Sequence, residues 1–151
     1  MTGDWGKVAN SRVMPSAAFD FVVAFDVLEH LPRINEDLAL IRSVLKPGGL
    51  FFASVPNIES VAARVMGKHW NMLLLEHLWY FSPKTLDRFM AGHGFCRLSV
   101  QSVPFDAPIA HIATRIAQAH GMAGAFRVGP VSRLVLPVPA GVMLGVFRRT
   151  D

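Results

Sequence analysis

Two nearly continuous apolar runs flank one amphipathic segment in the first third of the chain. Phe19 to Phe25 is broken only by Asp20, and Leu50 to Val55 is the second run. Runs of this kind belong to strands covered on both faces, so both read as interior parallel strands. Between them Ile34, Leu38, Ile41 and Leu45 fall on one face of a helix. Glu36 and Asp37 load its first turn and Arg42 and Lys46 its last, as the helix dipole prefers. The tetrapeptide Lys46-Pro47-Gly48-Gly49 then stops it. The pattern predicts a right-handed βαβ crossover, which makes the carboxyl ends of the two strands neighbours. Ligands of open α/β sheets bind in the crevice there, which singles out Asp26 to His30 and Pro56-Asn57.

The periodicity continues. Asn57 is placed to cap a helix whose apolar face is Ile58, Val61, Ala62, Val65 and Met66, ended by Gly67 and packed on the sheet. Residues 68 to 81 are dense in aromatics and contain His69 and His77. Ser82-Pro83 starts a further helix, a hydroxyl cap followed by proline, with Leu86, Phe89 and Met90 on one face and Gly94 beyond its end. Cys96, Leu98 and Val100 alternate with Arg97, Ser99 and Gln101, which predicts a strand with one wetter face at the edge of the sheet. A weaker helical pattern, with Ile109, Ile112, Ala113 and Ile116 on one face, lies within 105 to 126. It packs onto the domain or meets a substrate, a lipid-like acceptor or a partner. A final apolar strand runs from Gly141 to Phe147, and residues 1 to 18 read as loop.

Composition bounds these elements to one domain. A chain of 151 residues, 52% hydrophobic, can bury a single core. Its net charge of +4 is spread along the sequence, the densest pair being the terminal Arg148-Arg149, so no nucleic-acid footprint is expected. The lone Cys96 excludes an internal disulfide and fits a reducing compartment. No charged region followed by an apolar stretch opens the chain, so cytoplasmic residence is the expectation. The most apolar tract, Leu134 to Phe147, carries Pro137 and Pro139 and falls short of the ~18 residues a spanning helix needs. There is no serine or cysteine nucleophile motif, phosphate loop or cysteine pair, which removes hydrolase and nucleotide triphosphatase readings.

The segments FDFVVAFDVLEHL, LKPGG and LFFASVPN, followed by HLWYFSPKTLDRFMAGHGF, resemble the second half of class I S-adenosylmethionine-dependent methyltransferases, in particular the ubiquinone-type O-methyltransferases. The resemblance covers roughly residues 19 to 103 and, more loosely, the last strand. It implies an α/β, Rossmann-like sheet of parallel βαβ units whose C-terminal strand runs antiparallel between its two predecessors. It also implies S-adenosylmethionine as cofactor. The family's glycine-rich loop and ribose-binding acid have no counterpart here, since no apolar strand precedes Gly3 or Gly6. The expectation is therefore a sheet truncated at the N-terminus. Residues 1–18 would be a remnant and 19–151 a partial methyltransferase domain, with 105–133 inserted between the last two strands. Lacking its first strands, such a sheet would leave an open apolar edge beside Phe19 to Phe25, a place for self-association or for a complementing N-terminal half.

The resemblance puts Asp26, Val27 and Leu28 against the cofactor. Asp26 with Glu29 three residues later is also a capping-box pattern that needs no ligand, and the two roles are compatible. His30 is the candidate catalytic base, since an in-line hydroxyl nucleophile must lose its proton and histidine titrates in the useful range; alternatively it packs at the helix entrance. Glu29 could hold a metal by the same resemblance, but no partner for it is identifiable. His69 and His77 have no carboxylate or cysteine at a ligand spacing, so no metal site is expected. Trp70, Trp79 and Tyr80 suit a dry acceptor pocket or an ordinary core.

The first functional expectation is methyl transfer from S-adenosylmethionine to a small-molecule hydroxyl. The second is a catalytically silent half-domain that acts as a fragment or binds a partner, and it makes enzyme activity the open question. A nicotinamide-dependent oxidoreductase fits the KPGG and SPKTL segments less well.

Overall fold

Apolar periodicity becomes architecture in the computed structural model, which describes residues 15–108, 114, 117 and 134–151. The first run forms strand β1, Phe19–Phe25. The amphipathic segment forms helix α1, Ile34–Val44, and the second run lies in β2, Leu45–Pro56. The remaining elements are α2 (Val61–Met66), α3 (Pro83–Gly92), β3 (Phe95–Pro108) and β4 (Val135–Arg149). The sheet order is β1-β2-β4-β3. β1 and β2 are parallel, with Phe25 opposite Ser54, and β4 runs antiparallel to both β2 and β3. This is the Rossmann-like arrangement the resemblance implied, with the last strand between its predecessors and β3 at the edge.

The glycines after α1 do more than stop it. β2 begins at Leu45, and its register against β1 shifts between Phe19 and Phe21. Gly48 turns the chain at φ +74°, and a Cβ on Gly49 would lie 2.9 Å from the Lys46 carbonyl and 3.1 Å from that of Asp20. The tetrapeptide is thus a bulged entry into the strand.

One face of the sheet carries the core. Leu38 and Ile34 of α1 and Leu86 and Met90 of α3 meet Phe51, Val55, Phe95 and Phe147 of the strands, all buried. The α3 start is built as expected: Pro83 occupies the first turn, Ser82 Oγ accepts from the Thr85 amide at 3.2 Å, and Thr85 Oγ1 accepts from the Ser82 amide at 2.8 Å.

Three expectations are corrected. β1 is an edge strand among the described residues, and alternate side chains along it, Phe19, Phe21, Val23 and Phe25, are exposed, Phe21 by 62%. An apolar run shows that both faces of a strand are greasy, not that both are covered. The open apolar surface expected beside this strand is therefore present. The second correction concerns α2, which starts four residues after Asn57. Ser60 caps it, its Oγ accepting from the Ala63 amide at 3.1 Å, while Asn57 turns back to accept from the Glu59 amide. In consequence Ile58, Val61 and Val65 are exposed and Ala63 is the buried residue. The third is that residues 105 to 108 continue β3, paired with β4 as far as Pro108 opposite Val135. The rest of the helix expected within 105 to 126 lies outside the described residues apart from Thr114 and Ala117, both helical. The loop reading of residues 1 to 18 likewise lies outside them up to residue 14.

Candidate functional site

The parallel pairing of β1 and β2 brings their carboxyl ends together, and the chain leaves β1 through a strained residue. Asp26 sits at φ +52°, a conformation an L side chain adopts at a cost of about 1 kcal/mol. Ser54 of β2 offsets that cost. Its hydroxyl donates to Asp26 Oδ1 at 2.8 Å and accepts from the Asp26 amide at 2.9 Å. The same amide lies 3.3 Å from the Ser54 carbonyl. The turn that follows, Leu28–His30, is a single turn of 3-10 helix without a side-chain cap. The capping box expected from Asp26 and Glu29 does not form, because Asp26 is held by the neighbouring strand instead.

Asp26 is exposed and Val27 partly buried, whereas Leu28 is fully buried in the core. Toward a ligand in the crevice, Leu28 can therefore offer its backbone. His30 is exposed, and its Nδ1 lies 3.1 Å from the Glu76 carbonyl oxygen, to which it donates. That bond fixes the tautomer and leaves Nε2 as the acceptor.

The aromatic stretch 68 to 81 is a strap across this turn. The amides of Leu78 and Trp79 both donate to the Glu29 carbonyl, at 2.7 and 3.3 Å, and Trp79 Nε1 donates to the Leu31 carbonyl at 2.7 Å. Tyr80 Oη accepts from the Leu74 amide at 3.1 Å, tying the strap to itself. Trp70 is buried against Gly141 of β4, so of the three aromatics it has the structural role. Leu73, Leu74, Leu75 and Leu78 of the same strap are exposed.

The strap also delivers a residue that spacing alone did not pair. Glu29, His30 and His77 each bring one potential ligand atom within 4.8 Å of the others, and the two imidazole rings meet edge to face at 4.7 Å. His69 takes no part in this cluster. His77 Nδ1 donates to the Met72 carbonyl oxygen at 2.8 Å. Glu29 is 2% exposed and its Oε2 has no hydrogen-bond partner. Burial, the dominant influence, pushes its carboxyl above the ordinary glutamate range; the nearby Asp26 carboxylate adds to this, while its own backbone and the two histidines oppose it. Ser54 and His77 are the site residues that sequence reasoning missed. A lone serine inside an apolar strand is the signal by which the first would have been found.

A shallow hollow lined by Ala39, Arg42, Gly92, His93 and Gly94 opens near the start of β3, at the other end of the sheet from this turn. No helix among the described residues is long and apolar enough to cross a membrane.

Comparison with known proteins gives the family and the fold. Residues 4–100 match the methyltransferase-domain family. The chain is 31% identical over 98 residues to a ubiquinone biosynthesis O-methyltransferase of Methylocella silvestris, covering 60% of this chain and 38% of that protein. It is 29% identical over 97 residues to the enzyme of the same name from a Bradyrhizobium species, again covering 60% of this chain and 38% of that one. The chain thus spans about two fifths of the length of these relatives. Among solved structures, a methyltransferase in complex with the Trm112 activator of Haloferax volcanii superposes with a TM-score of 0.59 at 16% identity, over 93% of this chain and 58% of that one. The Burkholderia thailandensis 1,6-didemethyltoxoflavin-N1-methyltransferase, with 1,6-didemethyltoxoflavin and S-adenosylhomocysteine bound, superposes with a TM-score of 0.54 at 18% identity, over 99% of this chain and 57% of that one. At such identities the likeness is one of fold.

Proposed function

Because the chain belongs to the methyltransferase-domain family, we propose that it serves S-adenosylmethionine-dependent methyl transfer to a small-molecule hydroxyl, with the donor held at the turn Asp26 to Leu28 and His30 as base. The observation that carries this reading is the Asp26 turn itself, a strained residue pinned by Ser54 where two parallel strands end. Strained backbone that its surroundings over-determine is characteristic of ligand sites. Asp26 and Val27 present side chains to the donor and Leu28 presents backbone.

When bound, S-adenosylmethionine supplies a methyl group on a sulfonium. As an acceptor oxygen takes that methyl, His30 Nε2 would receive the hydroxyl proton. The Glu76 carbonyl holds the ring oriented throughout. Attack on a sulfonium by a deprotonated oxygen cancels charge, so the exposed leucines and partly buried Trp79 and Tyr80 of the strap favour the reaction once an acceptor displaces water from them. The hydroxyl acceptor is supported by the O-methyltransferase names of the similar proteins. The same reading takes the chain to act in the cytoplasm and the exposed β1 face to be covered by a second copy or by a complementing N-terminal half.

Incubation of the chain with isotopically labelled S-adenosylmethionine and a panel of phenols, with products read by mass spectrometry, tests this. His30→Ala should lower turnover by about 10²- to 10⁴-fold while leaving donor binding intact. A folded chain that binds donor and turns over equally well without His30 contradicts the role given to it. A folded chain that methylates nothing is instead a silent binding module.

A further inference from the structure

We infer that the outer edge of β1 is a docking surface for a second copy of this chain, the two β1 strands pairing antiparallel about a two-fold axis through Val22. Both edges of the sheet are open among the described residues, but they are built differently. β3 is guarded: Leu98 is bulged out between Arg97 and Ser99, Pro104 and Pro108 interrupt its row of amides, and Arg97 stands exposed on it. Bulges, prolines and charges of this kind keep an edge from pairing with another chain. β1 has none of them from Phe21 to Phe25, where its register against β2 is unbroken. Its one charge, Asp20, is held by Lys46 at 2.7 Å.

Strand alternation fixes which main-chain groups face outward. The Asp26 amide points to β2, where it meets Ser54. By the period of two, Val22 and Ala24 also turn their amides and carbonyls to β2, and Phe19, Phe21, Val23 and Phe25 turn theirs to the open edge. The same four residues place exposed side chains on one face of the sheet, whereas Ala24 is buried and Val22 partly buried against the core.

A two-fold axis at Val22 sets Phe21 opposite Val23 of the second copy and Phe19 opposite its Phe25, and each such pair exchanges two main-chain hydrogen bonds. Aromatic–aromatic and aromatic–β-branched pairs are stabilising cross-strand neighbours. Asp20 falls opposite Ala24, so no like charges meet across the pair. The strand is thus complementary to itself in chemistry and in register. The two Asp26 turns lie at opposite ends of the paired strands, so neither candidate donor site faces the other.

The size of the surface sets the strength of the contact. Phe19, Phe21 and Phe25 are 43, 62 and 56% exposed and Val23 46%. At roughly 200 Å² for a phenylalanine side chain, these residues leave about 400 Å² of apolar surface on each copy, half of the ~800 Å² per partner of a standard interface. Main-chain pairing supplements it, and the sum belongs with weak, reversible dimers of dissociation constant about 10 to 100 μM. Association of two copies needs neither donor nor acceptor, so it stands apart from the methyltransferase reading.

Sedimentation velocity of the 151-residue chain from about 1 to 300 μM should show a monomer–dimer equilibrium. Circular dichroism establishes that each variant is folded. Val23→Pro should abolish the dimer, because the amide it removes faces the open edge and not β2. Phe21→Lys should weaken it about tenfold or more, and decides alone if Val23→Pro does not fold, while Leu98→Lys on the β3 edge should leave it unchanged. In a Cys96→Ser background, Val22→Cys should form an intermolecular disulfide under mild oxidation and Phe19→Cys should not. Only Val22 faces its own copy, at a Cα separation of about 4.5 Å. A chain that stays monomeric up to about 300 μM overturns the proposal, whether its β1 amides exchange freely with solvent or are protected by another segment of the chain. So does a dimer that survives Phe21→Lys, that Leu98→Lys dissolves, or that Val22→Cys fails to cross-link.

Discussion

Removing the Ser54 hydroxyl should loosen the whole strand-end turn. In Ser54→Ala the Asp26 carboxylate loses the donor at 2.8 Å and the Asp26 amide loses the acceptor at 2.9 Å. A hydrogen bond to a charged group contributes about 1.5 to 3 kcal/mol and a neutral one about 0.5 to 1.5. Two terms reduce the sum: the amide retains the Ser54 carbonyl at 3.3 Å, and the exposed Asp26 carboxylate regains water. The expected net loss is about 2 kcal/mol, with no cavity, since serine and alanine differ by one oxygen. For a domain of this size that corresponds to a fall in melting temperature of roughly 4 to 8 °C. Urea unfolding followed by circular dichroism should show a lower midpoint at unchanged slope. Asp26→Gly in the Ser54→Ala background should recover about 1 kcal/mol, because glycine adopts φ +52° without strain. A Ser54→Ala variant within ~0.5 kcal/mol of the parent would refute the view that this hydroxyl stabilises the turn.

Other positions give independent outcomes. Gly94→Ala should destabilise by about 1 to 3 kcal/mol in the same unfolding assay, since Gly94 sits at φ +77° with an added Cβ 2.5 Å from Arg42 Nε. Leu38→Ala removes a fully buried side chain from the α1 face and should lose about 2 to 5 kcal/mol by denaturation. Phe21→Lys, on the open face of β1, should reduce self-association in sedimentation velocity with a stability change within about 0.5 kcal/mol.

Where the signal is local, the sequence carried it well. The limits of β1, the inward stripe of buried Ile34 and Leu38 with partly buried Ile41, and the Ser82-Pro83 helix start follow from side-chain periodicity and capping chemistry, which depend on a few neighbouring residues. What failed was every choice between two local options settled by a distant partner. Asn57 and Ser60 are both good caps; Asn57 is drawn off by its pairing with Phe81 at the strap's end. Asp26 and Glu29 satisfy a capping-box pattern, but Ser54 on the adjacent strand takes Asp26. The long β3–β4 pairing runs through Pro104, Pro108, Pro137 and Pro139, which sit along the strands beyond a register shift, where a helix was expected from residue 105. Glu29 and His77 lie far apart in the chain, and no spacing rule links them. The strap's hydrogen bonds to the Glu29 and Leu31 carbonyls and to the His30 ring bring them together.

The central claim is that the turn from Asp26 to His30 holds the methyl donor, and calorimetric titration of the folded 151-residue chain with S-adenosylmethionine and S-adenosylhomocysteine tests it most directly. Saturable binding in the micromolar range, weakened about tenfold or more by Ser54→Ala, is the predicted result. A chain shown to be folded by circular dichroism that releases no heat with either compound contradicts the account.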